Sequence, residues 1–142
     1  METDQLHRGR LIDHLHLIVE DLPKCLKFYQ AVLGALNIPM GDIADDHFWA
    51  DELFVSSKDS HAALGQLTGR HHLAFQADST DTVEAFYRAG LAAGGTDNGA
   101  PGHRPYHPSY YAAFLIDPAG NNIEAVYHGP SHRSAASVEV KF

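Results

Sequence analysis

The order of apolar and polar positions along the chain predicts one structural unit that occurs twice. Leu11–Asp21 alternates apolar and polar residues, as a half-buried β-strand does, and the residues after it repeat apolar positions at the spacing of an amphipathic helix. The same plan begins again 58 residues later, so that His14 matches His72 and Phe28 matches Phe86. An ungapped repeat of this kind indicates a duplicated unit of a strand followed by a helix.

In the first half, Asp21-Leu22-Pro23 opens the helix and Gly34 ends it, and its apolar stripe is expected to pack on the first strand. The polar start, Met1–Arg10, is expected to be loose. Pro39, Gly41 and two adjacent aspartates then punctuate two or three short strands, at Leu36–Met40, His47–Ala50 and Asp51–Ser56.

In the second half, the copied helix covers Ser79–Ala93. Thr96–Ser109 holds so many glycines and prolines that we predict an irregular loop there. Tyr110–Ile116 and Asn121–Tyr127 alternate as the two strands of a hairpin around a tight turn. The ending of Ser131–Phe142 predicts an edge strand that pairs with its own sheet or with another subunit.

A length of 142 residues indicates a single domain built from two half-size modules. Within 1–142 we place module 1 at 11–57, a linker at 58–70, module 2 at 71–128 and a C-terminal tail at 129–142.

Composition excludes several classes of protein. Hydrophobic residues make up 44% of the chain and charged residues 20%, as in a globular protein, and no apolar run reaches the roughly 18 residues of a membrane span. A formal charge of −8 repels phosphate backbones, so we expect no nucleic-acid partner and no membrane partner. The single cysteine, Cys25, and the absence of an apolar leader favour a cytoplasmic location.

Histidine is unusually abundant, with eleven residues dispersed along the chain. Strand alternation puts His14 and His16 on one face of the first strand, and His72 takes the place of His14 in the copy. Glu124 lies in the middle of the last hairpin strand, where a carboxylate must be solvated, paired or bound to metal. A surface histidine or a salt-bridged glutamate is the alternative for each residue taken alone.

The segments D-H-L-H-L-I-V-E-D-L, H-H-L-A-F-Q-A-D and F-L-I-D-P-A-G-N-N-I-E-A-V, in this order, resemble the vicinal oxygen chelate superfamily over about 11–128. This superfamily includes glyoxalase I, extradiol dioxygenases and bleomycin-binding proteins. The resemblance implies an α+β fold of two β-α-β-β-β modules whose mostly antiparallel sheet forms a cup around a divalent metal. It also implies a small-molecule substrate with two adjacent oxygens.

Residue by residue, the resemblance implies that His14, His72 and Glu124 are the metal ligands. Two imidazoles and one carboxylate leave open positions on an ion, which favours Fe(II) or Mn(II), with Ni(II) or Zn(II) as alternatives. Glyoxalase I enzymes carry a further glutamate, and Phe54 stands near that place here. Glu52, two residues away, and His16 are therefore candidates for substrate contact.

The glycine-rich loop adds further candidates. His107, Tyr110 and Tyr111 are candidate catalytic groups for handling protons, and Arg104 is a candidate grip for a substrate carboxylate. Tyr110 and Tyr111 are neighbours on a strand, so only one of them can face the site.

Three interpretations remain open at this level. The first is a metal enzyme, favoured as an extradiol-type dioxygenase because the glyoxalase glutamate is missing, with a glyoxalase-type lyase as the alternative. The second is a metal-free antibiotic-binding protein, and the third is a structural or regulatory module with a vestigial site. The strand-like tail and the family resemblance also predict a homodimer.

Overall fold

The computed structural model describes residues 5–61, 63 and 65–142. It confirms the α+β class, with two helices and nine strands among these residues. The helices are α1 (Leu22–Ala35) and α2 (Thr80–Ala92), and the strands are β1 (Gln5–Arg8), β2 (Leu15–Val19), β3 (His47–Ala50), β4 (Leu53–Ser57), β5 (His72–Gln76), β6 (Thr96–His103), β7 (Tyr111–Ile116), β8 (Asn122–Tyr127) and β9 (Val138–Lys141). No helix in this described part is long and apolar enough to cross a membrane.

The chain forms two compact units. Unit 1 holds the described residues of Met1–Leu22, Ile38–Thr68 and His132–Phe142, and unit 2 holds Pro23–Asn37 and Gly69–Ser131. The first helix therefore groups with the second copy of the repeat, and the tail groups with the first.

Unit 1 contains a three-stranded sheet in the order β2-β4-β3, with β2 parallel and β3 antiparallel to β4. Leu17, Phe48 and Val55 are aligned across the strands and are buried, so they form the core face. The opposite face carries His16 beside Phe54. Alternation along each strand thus separates an apolar layer from a face of aromatic and imidazole rings.

Two expectations for this region are wrong. Leu36–Met40 forms no strand in the structure, because α1 closes with Asn37 in a left-handed conformation at φ 62° and Pro39 has no N–H to give to a ladder. Asp51 and Glu52 form the turn between β3 and β4, with Asp51 at φ 45°, so β4 starts later than we predicted. Among the described residues the first module is β-α-β-β.

Both ends of the chain meet in a two-stranded ribbon. Gln5–Arg8 pairs antiparallel with Val138–Lys141, and His7 Nδ1 lies 2.8 Å from Ser137 Oγ. The expected loose start is wrong for 5–8, while 1–4 lie outside the described residues. The predicted tail strand is confirmed, and its partner is a strand of the same chain.

Unit 2 contains a four-stranded sheet in the order β5-β8-β7-β6, in which only β5 and β8 are parallel. Leu115 and Ile123 are fully buried on the face that takes α2, whose Val83 and Phe86 are buried as well. Glu124 lies on the other face. This arrangement confirms the predicted β-α-β-β-β order of the second module and the mostly antiparallel pairing.

The expectation of an irregular loop over Thr96–Ser109 is wrong for its first part, because 96–103 is strand β6. The strand lies at the edge of the sheet, where Pro101 need not donate a hydrogen bond. Register shifts on either side of Gly99, which has φ 147°, absorb the remaining irregularity. Only the stretch after His103 is a loop.

Helix α1 has contacts with α2 within unit 2. Its Phe28 and Val32 lie beside Gly90 of α2. The packing of α1 on the first strand stays a prediction. The fully buried Tyr29 hydroxyl donates to Asp117 Oδ2 at 2.5 Å. Asp117 also accepts from the backbone N–H groups of Ala119 and Asn121, so one carboxylate stabilises both the hairpin turn and the helix contact.

Candidate functional site

The centre of the candidate site is Glu124 on β8, which faces Ala74 on β5 and Phe114 on β7. Its side chain is only 3% exposed. Oε1 lies 3.0 Å from His72 Nε2, and Oε2 accepts a hydrogen bond from the Tyr110 hydroxyl. A buried carboxylate needs such partners, because an isolated one is strongly disfavoured away from water.

The contact that His72 makes through Nδ1 determines whether Nε2 carries a proton or a lone pair. Nδ1 lies 3.0 Å from the carbonyl oxygen of Asn122, which can only accept, so the proton of a neutral imidazole sits on Nδ1. Nε2 then presents a lone pair to a carboxylate oxygen of Glu124. Two electron-rich atoms this close require a proton between them, carried by the imidazole or by the carboxyl group, or a bound cation.

Tyr110 is held by a cluster of rings. The rings of Tyr106, His107 and His128 meet it edge-on, at centroid distances of 5.0, 5.2 and 5.5 Å. Burial, together with the Glu124 carboxylate, raises the pKa of Tyr110 to about 12. Tyr110 is therefore a permanent donor to Glu124 at neutral pH.

His107 is paired with His128, which the sequence reasoning did not single out. Their rings stack, and His107 Nε2 lies 2.8 Å from His128 Nδ1. Pro108 supplies a carbonyl oxygen 2.7 Å from His107 Nδ1, so a neutral His107 accepts from His128. Counting alternate residues from Glu124 along β8 leads to His128, and this signal was available in the sequence.

Arg104 lies over the ring of Phe114, with its guanidinium carbon 5.4 Å from the ring centroid. The ring of His72 stacks on the same Phe114 at 6.0 Å. Arg104 also donates to the carbonyl oxygens of Ala100, at 2.8 Å, and His103, at 3.3 Å. The structure thus brings Arg104 to the face of the sheet that carries Glu124. Some of the guanidinium N–H groups already donate to carbonyl oxygens of the neighbouring backbone.

Tyr111 is not part of this group. Its hydroxyl donates to Glu84 of α2 at 2.9 Å, on the face opposite to Glu124. Burial and this hydrogen bond raise the pKa of Tyr111. Of the two tyrosines, the structure brings only Tyr110 to the site, and the catalytic role predicted for Tyr111 is withdrawn.

The remaining candidates lie in unit 1. His14 directly precedes β2, is exposed, and has Nδ1 2.7 Å from Asp13 Oδ1. His16 Nε2 lies 2.7 Å from Ser56 Oγ, and burial, with a smaller effect of His14, lowers the pKa of His16. Glu52 stands in the β3–β4 turn, where its carbonyl oxygen accepts from the Leu15 N–H at 2.7 Å. Glu52 is therefore not on the strand where we expected it.

The strand registers of the two sheets identify which residue of unit 1 takes the position that Glu124 has in unit 2. His16, two residues after His14, pairs with Phe54 in unit 1. In unit 2, Ala74, two residues after His72, pairs with Glu124. Phe54 therefore takes the position in the first copy that Glu124 takes in the second. The Phe54 ring contacts the rings of His16, at a centroid distance of 4.8 Å, and His47, at 5.0 Å.

The side chains fit a divalent cation in their chemistry. His72 and Glu124 offer an imidazole nitrogen and a carboxylate oxygen, which suit first-row transition metals. Within the ranges that the structure describes, no three His, Cys, Asp or Glu side chains form a complete ligand group. Of the three metal ligands that the resemblance implies, the structure brings His72 and Glu124 together. His14 as the third ligand stays a prediction.

The comparisons with known proteins show the family and the fold. The family profile described as "Glyoxalase/Bleomycin resistance protein/Dioxygenase superfamily" matches residues 11–125, and the chain belongs to this superfamily. A glyoxalase/bleomycin resistance protein from Albidiferax ferrireducens T118 is 32% identical, covers 82% of this chain and 97% of its own, and superposes with a TM-score of 0.66.

Two other solved structures are similar in fold. A glyoxalase-related enzyme from Fulvimarina pelagi has 18% identity, covers 94% of this chain and 98% of its own, and has a TM-score of 0.69. A lactoylglutathione lyase from Agrobacterium tumefaciens has 21% identity, coverages of 81% and 91%, and a TM-score of 0.55. A search of curated proteins found no match.

Proposed function

We propose that the protein is a metal-dependent enzyme that binds a small substrate through two adjacent oxygens, and that it acts as an extradiol-type dioxygenase. The observation that carries this choice is Phe54, which occupies the position equivalent to Glu124 in the first copy of the repeat. A lyase of the glyoxalase type needs a carboxylate base there. A phenyl ring cannot accept a proton, so proton abstraction by this position is excluded.

His72 and Glu124 would hold the metal, with His14 as the predicted third ligand. The bond between His72 Nδ1 and the Asn122 carbonyl fixes the imidazole with its Nε2 lone pair toward Glu124. Fe(II) or Mn(II) suits this donor set, with Ni(II) or Zn(II) as alternatives. When bound, such an ion supplies Lewis acidity and open positions for substrate oxygens.

The transfer of protons from the substrate is assigned to His107 and His128. Their hydrogen bond of 2.8 Å allows a proton taken from a substrate hydroxyl by one imidazole to be passed to the other. Tyr110 is a positioning residue in this scheme, because its hydroxyl is engaged by Glu124. Arg104, whose guanidinium lies over the Phe114 ring, would bind a carboxylate substituent of the substrate.

Oxygen uptake tests the proposal. Protein loaded anaerobically with Fe(II) should consume dioxygen in proportion to added catechol, and His107→Gln should slow turnover while the metal content stays unchanged. Efficient conversion of a glutathione hemithioacetal by Ni(II)- or Zn(II)-loaded protein, with no oxygen uptake by the Fe(II) form, would decide for a lyase.

One observation favours a second candidate, a metal-free small-molecule binding protein. Both oxygens of Glu124 already have partners within the chain, Tyr110 and His72, so a protonated His72 satisfies the carboxylate without an ion. This alternative predicts no bound metal after purification and no change in ligand affinity when metal is added.

A further inference from the structure

His107 and His128 form a pair of imidazoles at the surface of unit 2, which we call the histidine pair. Both residues are exposed, and His107 Nε2 lies 2.8 Å from His128 Nδ1. His128 lies beyond 11–125, the part of the chain that the family profile matches. The histidine pair is therefore separate from the metal ligands that the superfamily implies.

The backbone holds the two histidines side by side. Gly129, at φ 83°, follows His128 directly, and a Cβ there would overlap the Cβ of Ser109. Ser109 has φ 68° and lies in the turn where the Tyr110 N–H donates to the His107 carbonyl oxygen at 3.3 Å. Only a glycine after His128 leaves room for this turn. The turn that carries His107 thus rests on the residue after His128.

A backbone contact determines which nitrogen of His107 can bind an ion. Nδ1 lies 2.7 Å from the Pro108 carbonyl oxygen, so a neutral His107 carries its proton there and keeps a lone pair on Nε2. Metal-binding histidines commonly donate their other N–H to a carbonyl group in this way. His128 obtains a lone pair on Nδ1 when its own proton moves to Nε2. A cation can then replace the shared hydrogen while both imidazoles stay neutral.

The separation of the two nitrogen atoms indicates the kind of ion. With metal–nitrogen bonds of about 2.0–2.1 Å, two donors 2.8 Å apart meet at the ion at nearly a right angle. Square-planar and octahedral coordination have such angles, and these geometries suit Cu(II) and Ni(II), whereas tetrahedral Zn(II) needs donors farther apart. Because both imidazoles are exposed, water can fill the other positions. A formal charge of −8 on the chain also attracts cations.

We propose that the histidine pair is a second metal site, suited to Cu(II) or Ni(II), and that an ion bound there stops the two imidazoles from passing protons. Binding of this ion uses neither His72 nor Glu124. The effect on protons rests on the proposed function, because a nitrogen that binds a metal has no lone pair left to accept a proton.

Nickel titration of Glu124→Gln protein tests the site, because this variant lacks a ligand of the first site and keeps the histidine pair. NMR of isotope-labelled histidine side chains follows the addition of Ni(II). We expect saturable binding of about one ion per chain, with the signals of His107 and His128 broadened together and ahead of that of His103. Absence of saturable binding, or broadening that begins at His103, would overturn the proposal.

Variants in the same background identify the ligands. His128→Gln should raise the Kd for Ni(II) at least about tenfold, since even the loss of a group that supports a ligand costs about 10–100-fold. His103→Gln is the matched control, because His103 is an exposed histidine at the start of the same loop, and it should leave the Kd unchanged. An unchanged Kd in folded His128→Gln protein would refute the site.

Gly129→Ala tests the backbone that holds the pair and changes neither ligand. Its Cβ meets Ser109 and should displace the turn that carries His107, so the Kd for Ni(II) should rise. Tight binding that survives this substitution would contradict the role of the turn.

Oxygen uptake tests the effect on protons. In Fe(II)-loaded protein, uptake should fall over the same range of Ni(II) concentration in which the His107 and His128 signals broaden, with the Fe(II) content unchanged. Full uptake with the histidine pair occupied would refute this effect.

The two metal sites can be lost independently. Unaltered protein should bind about two Ni(II) ions per chain, of which Glu124→Gln loses one and His128→Gln the other. Loss of all Ni(II) from Glu124→Gln protein would refute this inference and leave the proposed function standing. Loss of all Ni(II) from His128→Gln protein, with none lost from Glu124→Gln, would refute the proposed site at Glu124 and support the histidine pair.

Discussion

The Tyr110 hydroxyl donates a hydrogen bond to Oε2 of Glu124, a carboxylate that is 3% exposed. Tyr110→Phe removes the donor and leaves a buried oxygen unsatisfied, so we expect the free energy of unfolding to fall by about 1–3 kcal/mol. Urea titration of the metal-free protein measures this change.

Tyr111→Phe is the matched control for that substitution, one residue along the same strand. Its partner, Glu84, is half-buried and can turn to water, so the expected loss is smaller, at about 0.5–1.5 kcal/mol. An equal loss in both variants would mean that burial of Glu124 does not govern the effect.

The grouping of His72 with Glu124 came from the family resemblance, and the structure brings His72 Nε2 and Glu124 Oε1 within 3.0 Å. Strand alternation assigned faces only within each single strand. Tyr110 was one of two alternatives that only the fold could separate. His128 was overlooked because it lies just past the end of β8.

Long-range pairing explains what the sequence could not predict. Strands β1 and β9 have four residues each and lie at opposite ends of the chain, so no local pattern announces their pairing. Strand β6 tolerates Pro101 only because it is an edge strand, and an edge is a property of the assembled sheet. The homodimer stays a prediction, and sedimentation showing only monomer at micromolar concentration would contradict it.

Two helical glycines in different surroundings should respond oppositely to alanine. A Cβ at Gly90 would lie 2.2 Å from Leu115 and 3.0 Å from Val32, whereas one at Gly34 meets nothing within 4 Å. Gly90→Ala should lower the free energy of unfolding by about 1–3 kcal/mol through overpacking. Gly34→Ala should raise it by about 0.5–1 kcal/mol, because alanine loses less backbone entropy in a helix. Chemical denaturation of both variants checks the signs, and a stabilising Gly90→Ala would contradict the packing of α2.

The buried pair of Tyr29 and Asp117 predicts a loss of stability at alkaline pH. Burial, and then the Asp117 carboxylate, raise the pKa of Tyr29 well above its ordinary value of 10.0. The unfolded chain releases this proton near pH 10 while the folded chain keeps it. The stabilisation is therefore present below pH 10 and is lost as the pH rises further.

Unfolding free energies measured from pH 8 to 11 test this dependence. Tyr29→Phe should be less stable at neutral pH and should show a shallower decline above pH 10 than the unaltered protein. The same slope in both proteins would show that other groups cause the alkaline loss.

Metal content tests the central claim most directly. After loading with Fe(II) or Mn(II) and dialysis against a weak chelator, the protein should retain about one ion per chain. His72→Ala and Glu124→Gln should each lose most of it, and His14→Ala should do the same if His14 is the third ligand. His71→Ala is the control, because His71 is the exposed neighbour just before β5, and it should retain the ion. An unaltered protein that retains no ion, or a Glu124→Gln variant with unchanged stoichiometry, would contradict the account.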